Sequence, residues 1–166
     1  MAAPQWPAFF LKKNNMKPII RSYLIEVNLG ATVPGAGSQV YINDYPTLRN
    51  VFLYGVMAHS ATTLAVSPSG KNAITAAGER SITVTLVDKF NMEIIHNYPI
   101  YDLDPINVSG FYRDYQPFPL QLTKSYITIN TTSNLSANQS VLLNILYSPE
   151  PPRNENTENR LRPRRR

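Results

Sequence analysis

The stretch SITVTLVDKFNMEIIHNY, residues 81–98, decides the fold. In its first half Ile82, Val84 and Leu86 point one way and Thr83 and Thr85 the other. That period of two belongs to an extended strand, and the β-branched side chains suit a pleated surface. Asp88, Lys89 and Asn91 follow as turn residues, and residues 92–98 return, so the two runs predict a hairpin.

The same pattern recurs on both sides. Over residues 21–29, Tyr23, Ile25, Val27 and Leu29 share a face, and Gly30 ends the run. Residues 39–43 and 51–57 are two further strands, separated by Asp44, Pro46 and Asn50. Residues 62–66 supply another. Near the end, residues 126–131 and 141–147 flank the polar stretch 132–140 and are expected to pair antiparallel. About eight short strands without an intervening helical run of ten residues predict two packed antiparallel sheets. The expected fold is all-β: an antiparallel β-sandwich, jelly-roll-like, with extended arms at both ends. Its core is expected to hold Ile25, Val27, Ile42, Val51, Leu53, Ile82, Val84, Leu86, Ile94, Ile127, Ile129, Leu143 and Ile145.

Composition agrees with a packed body. Hydrophobic residues make up 43% of the 166 and charged residues only 16%, against about 25% in ordinary domains. No apolar run approaches the roughly 20 residues that a helix needs to cross a bilayer. The opening MAAPQWPAFFLKKNN lacks the order of a secretory signal, since its lysines follow the apolar patch, so no signal peptide is expected. Without cysteine there is no disulfide, thiolate nucleophile or Cys-ligated metal.

The net charge of +5 divides unevenly. Residues 1–17 carry Lys12, Lys13 and Lys17 with no acid. Residues 149–166 carry six arginines against three glutamates, so each end contributes +3. The body between them holds seven bases and eight acids and is near neutral. Three segments follow: an N-terminal arm (1–17), the sandwich (18–148) and an Arg-rich tail (149–166).

Catalytic chemistry finds little to use. His96 alternates with Ile94 and Tyr98 on what reads as a buried face, and His59 reads as a rim residue at a strand end. Nucleophile-elbow, phosphate-loop, dinucleotide and zinc-protease motifs are absent, so no catalytic residue and no cofactor is assigned. Asp102, Asp104, Asn107 and Asp114 offer oxygen ligands, but Pro105 interrupts them and the spacing is not that of an EF-hand, so a solvated acidic turn is preferred and no metal is expected.

Two segments read as interaction surfaces. Residues 101–124, YDLDPINVSGFYRDYQPFPLQLTK, form a long Pro-stiffened connection in which Tyr101, Phe111, Tyr112, Tyr115 and Phe118 give more aromatic surface than a solvated loop needs. These rings either cap the sandwich or contact a neighbouring subunit. In the tail, Arg160, Arg162, Arg164, Arg165 and Arg166 crowd five guanidinium groups into seven residues. Such a tract binds phosphate bidentately without reading sequence, or pairs with acids on a neighbour. Lys12, Lys13 and Lys17 are placed with it.

A neutral cysteine-free sandwich, rich in Asn, Thr and Pro and flanked by basic arms, resembles the small single jelly-roll capsid and capsid-associated proteins of viruses and bacteriophages. The resemblance implies a virion component assembled in the host cytoplasm, a homo-oligomer or a partner of other virion proteins. Its loops would pack side by side, and its arms would reach neighbours or the packaged nucleic acid. The dense Arg tract lies at the C-terminus here, whereas many such proteins carry it at the N-terminus. Two other classes stay open: a small single-stranded nucleic-acid-binding protein using the tail, and a carbohydrate-binding sandwich using Trp6 or the loop tyrosines.

Overall fold

The computed structural model describes residues 18–62, 67–107 and 113–152. Among them lie nine strands: β1 (Arg21–Asn28), β2 (Gln39–Tyr41), β3 (Phe52–His59), β4 (Asn72–Ala73), β5 (Ile82–Val87), β6 (Glu93–Pro99), β7 (Arg113–Pro119), β8 (Tyr126–Ile129) and β9 (Gln139–Ser148). One short helix, α1 (Ala76–Glu79), precedes β5. One sheet has the order β1-β9-β3-β7, with β4 paired to β9, and the other has the order β2-β8-β5-β6.

Apart from the two-residue β4, the pairing is nested around the β5–β6 turn. β5 pairs with β6, β3 with β7, β2 with β8 and β1 with β9, all antiparallel. A chain that doubles back on itself and is then rolled up gives this order, which is the jelly roll. The hairpin expected at residues 81–98 is therefore the centre of the whole topology.

Alternation supplies the core. Ile25 and Val27 of β1, Leu53 and Val56 of β3, Ile82, Val84 and Leu86 of β5, Ile127 and Ile129 of β8, and Val141, Leu143 and Ile145 of β9 all face the space between the sheets and are buried. Ile42 and Val51 join them from the β2–β3 connection.

The structure corrects four expectations. Ile94 is 44% exposed, and its neighbour Ile95 is the core residue. His96 is likewise exposed and bonds Glu93 rather than lining a buried face. The cause is common: β6 slips against β5 between Val84 and Leu86 and again between Leu86 and Val87. Each extra residue on β6 reverses which side chains face inward. Third, β8 and β9 do not pair; they lie in opposite sheets, and the polar connection between them crosses the end of the sandwich. Fourth, residues 101–124 are not one loop. They contain a 3-10 turn (Ile100–Leu103), the edge strand β7 and a second 3-10 turn (Leu122–Lys124). Pro117 and Pro119 are compatible with β7 because an edge strand tolerates missing N–H donors. Of the strand expected at 62–66, residues 63–66 lie outside the described residues.

Strand direction sorts the connections to two ends. The β1–β2, β3–β5, β6–β7 and β8–β9 connections meet at one, hereafter the long-loop end. The β2–β3, β5–β6 and β7–β8 connections meet at the other, the short-loop end. Arg21 pairs with Tyr147 at that short-loop end, so residues 18–20 and 149–152 both lie there.

Candidate functional site

At the long-loop end the polar side chains turn inward. Thr75 caps α1, its Oγ1 accepting from Gly78 N–H at 3.1 Å. Gly78 packs under residues 132–138: a Cβ there would lie 2.8 Å from Ile74 Cγ1 and 3.0 Å from the Asn134 carbonyl. This seats Glu79 in a site of zero exposure beside Asp104, which is also fully buried. Asn107 Nδ2 donates to Glu79 Oε2 at 3.1 Å and to the Tyr101 carbonyl at 3.2 Å. Asp104 accepts from the backbone N–H of Ser60 at 3.0 Å and of Ile106 at 2.9 Å.

Two buried carboxyls side by side cannot both carry charge cheaply. Burial first, and the Asp104 carboxylate second, push Glu79 up to about 9. At neutral pH Glu79 therefore keeps its proton beside the Asp104 carboxylate. Glu79 Oε1 is buried without a hydrogen-bond partner among the described residues. His59, at the end of β3, is half-buried; desolvation lowers its pKa and the Asp104 charge opposes that only in part. The cluster locks the β6–β7 connection onto α1 and β3. Among the described residues no group of three or more His, Asp or Glu is placed to hold a metal ion.

A second polar knot fixes the same half of the molecule. Glu26 Oε1 accepts from Ser140 Oγ at 2.6 Å and Ser69 Oγ at 2.5 Å. Partial burial would raise Glu26, but the hydrogen bonds from Ser140, Ser69 and Ser67 outweigh it and lower its pKa.

The short-loop end is arranged the other way. Asp88 Oδ1 accepts from the N–H groups of Phe90 and Met92 at 2.8 and 2.9 Å, drawing residues 88–92 into a tight turn with Asn91 at φ 62°. The turn is pinned by Lys89 N–H to the Pro119 carbonyl at 3.0 Å and Gln121 N–H to the Val87 carbonyl at 2.8 Å. What it presents to solvent is apolar: Phe90 is 68% exposed and Met92 61%. Beside it, a groove of about 560 Å³ is lined by Tyr41, Glu93, Lys124 and Tyr126, among others. Tyr41 and Tyr126 lie with ring centroids 5.6 Å apart, and Tyr126 Oη donates to Glu93 Oε1 at 2.8 Å. That bond and the one with His96 hold the Glu93 carboxyl below its usual range.

The residues picked from the sequence fare differently. Phe118 is 7% exposed and belongs to the core, so its ring serves the chain's own sandwich. Tyr101 is half-buried beneath Arg80, whose guanidinium sits 4.3 Å from the ring centroid and donates to Tyr101 Oη at 2.8 Å. Tyr115 lies on β7. Phe111, Tyr112, Lys12, Lys13, Lys17, Arg160, Arg162, Arg164, Arg165 and Arg166 lie outside the described residues. Asp104 and Asn107, considered above as cation ligands, are occupied within the buried cluster, while Asp102 is exposed. Sequence reasoning missed Glu79 and the Phe90–Met92 turn as features of interest. The second had a signal: two large apolar residues inside a turn rather than on a strand face.

Compared with protein-family models, curated proteins and solved structures, the chain matches none.

Proposed function

We propose that this protein is a non-enzymatic structural component of a virion, a capsid, vertex or capsid-associated subunit. The observation that carries the reading is the placement of charge on the fold. A near-neutral jelly roll receives its chain at Pro18 and releases it after Ser148 on the same end, and residues 1–17 and 149–166 each carry +3. Two basic arms starting together can reach a neighbour or packaged nucleic acid, while the body packs through its loops. The exposed Phe90 and Met92 at that same end add apolar contact area of the kind that marks interaction sites. The fold by itself does not choose among functions, since jelly rolls serve capsids, lectins and enzymes alike.

The Arg tract keeps one competitor in view: a small single-stranded nucleic-acid-binding protein held to phosphate by its tail. Light scattering on a sizing column, with the 260/280 nm absorbance ratio recorded before and after nuclease, separates the two. The virion reading expects a large closed oligomer that survives nuclease. A small species that sheds nucleic acid on digestion would replace it with the competitor.

A further inference from the structure

We propose that residues 20–24, at the open edge of β1, pair antiparallel with the same residues of a second copy of this chain about a two-fold axis. The backbone sets the limits of the edge. Leu29 N–H bonds to the Gln139 carbonyl, and bonding alternates along a strand. Hence Ser22, Leu24 and Glu26 aim their backbone groups away from β9, and Ile20, just before the strand, continues that alternation in the proposed pair. At Glu26 both outward groups are taken, since the Tyr45 hydroxyl accepts from its N–H at 2.9 Å and donates to its carbonyl at 2.7 Å. Among the described residues β1 has no neighbouring strand except β9, so the edge is open from Ile20 to Leu24 and closed beyond.

The other three edges are guarded. β6 carries two bulges and Asn97 at φ 45°. β7 has Pro117 and Pro119 and a register shift against β3. β2 is three residues long. Bulges, prolines and short length are the usual protections against edge pairing. β1 has none of them over residues 20–24.

The edge complements itself about Ser22. With Ser22 opposite Ser22 of the second copy, Ile20 faces Leu24 and Arg21 faces Tyr23. Three directly opposed pairs then exchange about six backbone hydrogen bonds. Ile20, 51% exposed in the single chain, gains an apolar partner. Arg21 meets an aromatic ring rather than a like charge. The next pair would set Glu26 against Pro18, which has no N–H to give, where the Tyr45 hydroxyl already sits. The ribbon stops there. The inference does not depend on the virion reading, because the edge is the same in any role.

The chain has no cysteine, so Ser22→Cys introduces a single thiol on the proposed axis, and Thr123→Cys, at the exposed β7–β8 connection, serves as the control. Mild oxidation of the full-length proteins is expected to convert Ser22→Cys mainly to a disulfide-linked pair and Thr123→Cys only in trace. Ser22→Pro removes an outward N–H without touching the β9 ladder. Sedimentation is expected to show loss of the two-chain contact with an unchanged circular dichroism spectrum. Should Ser22→Pro fail to fold, Leu24→Lys on the same edge carries the same expectation. Linking of Ser22→Cys no faster than the control, or a two-chain species untouched by the folded edge variant, overturns the proposal. Particles that form with Ser22→Cys unlinked would overturn the edge pair and leave the virion reading standing; linked pairs without particles would do the reverse.

Discussion

The two ends of the sandwich handle polar and apolar groups in opposite ways. At the long-loop end Glu79 and Asp104 are buried, Asp104 accepting from the Ser60 N–H and Glu79 from the partly buried Asn107. At the short-loop end the backbone is pinned just as firmly, but Phe90 and Met92 are left in solvent and both ends of the described chain lie nearby. The first end spends its polar groups on holding its own loops. The second leaves surface for something else to cover. Under the proposed subunit role, the difference assigns assembly contacts to the short-loop end of a molecule whose body is nearly neutral.

The comparison breaks most visibly at Asp104. Asp104→Ala strands the buried Ser60 N–H and frees the Ile106 N–H, and urea unfolding is expected to show a loss of about 3 kcal/mol. A loss under about 1 kcal/mol would mean the cluster is not a lock. Glu79 sharpens the same point through pH. The folded state keeps a proton that the unfolded chain releases above 4.5, so this group makes stability fall as pH rises from 4.5 to about 9. Glu79→Gln keeps the bonding pattern without a proton to lose. It is expected to be more stable than the parent at pH 8, with the difference vanishing toward pH 4.5 in a denaturation series. Equal slopes over that range would contradict a proton held on Glu79.

Tyr45→Phe removes the hydroxyl that serves both Glu26 backbone groups, and a loss of about 1 kcal/mol is expected in thermal unfolding. Because it also uncaps the β1 edge, it should not weaken association of chains. Smallest for the single domain is Phe90→Ser, within about 0.5 kcal/mol by denaturant midpoint. If the short-loop end makes contacts, the same substitution weakens assembly, and light scattering would register it.

Strands that run straight were legible in the sequence. Residues 81–87 alternate without interruption and residues 21–29 do so apart from Leu24, and their inward faces are those expected. β6 was not, because two bulges reverse its phase and nothing in NMEIIHNYP marks where the extra residues fall. β7 was hidden by prolines that read as loop and that an edge strand admits. β8 and β9 are neighbours in sequence but not in space, since a polar connector looks the same whether it closes a hairpin or crosses between sheets. The buried acids were unreadable for another reason: Asp104 looks like a turn residue, and its burial comes from Ser60 and Glu79, which only the fold brings beside it. Position alone made Phe118 an interface candidate, and register made it core.

Amide hydrogen exchange on assembled against dissociated protein tests the contrast between the two ends most directly. The account predicts that assembly adds protection at residues 18–24 and 88–94 and leaves residues 76–80, 100–107 and 130–138 unchanged. Protection gained at the long-loop segments, with the short-loop end unaltered, would contradict it.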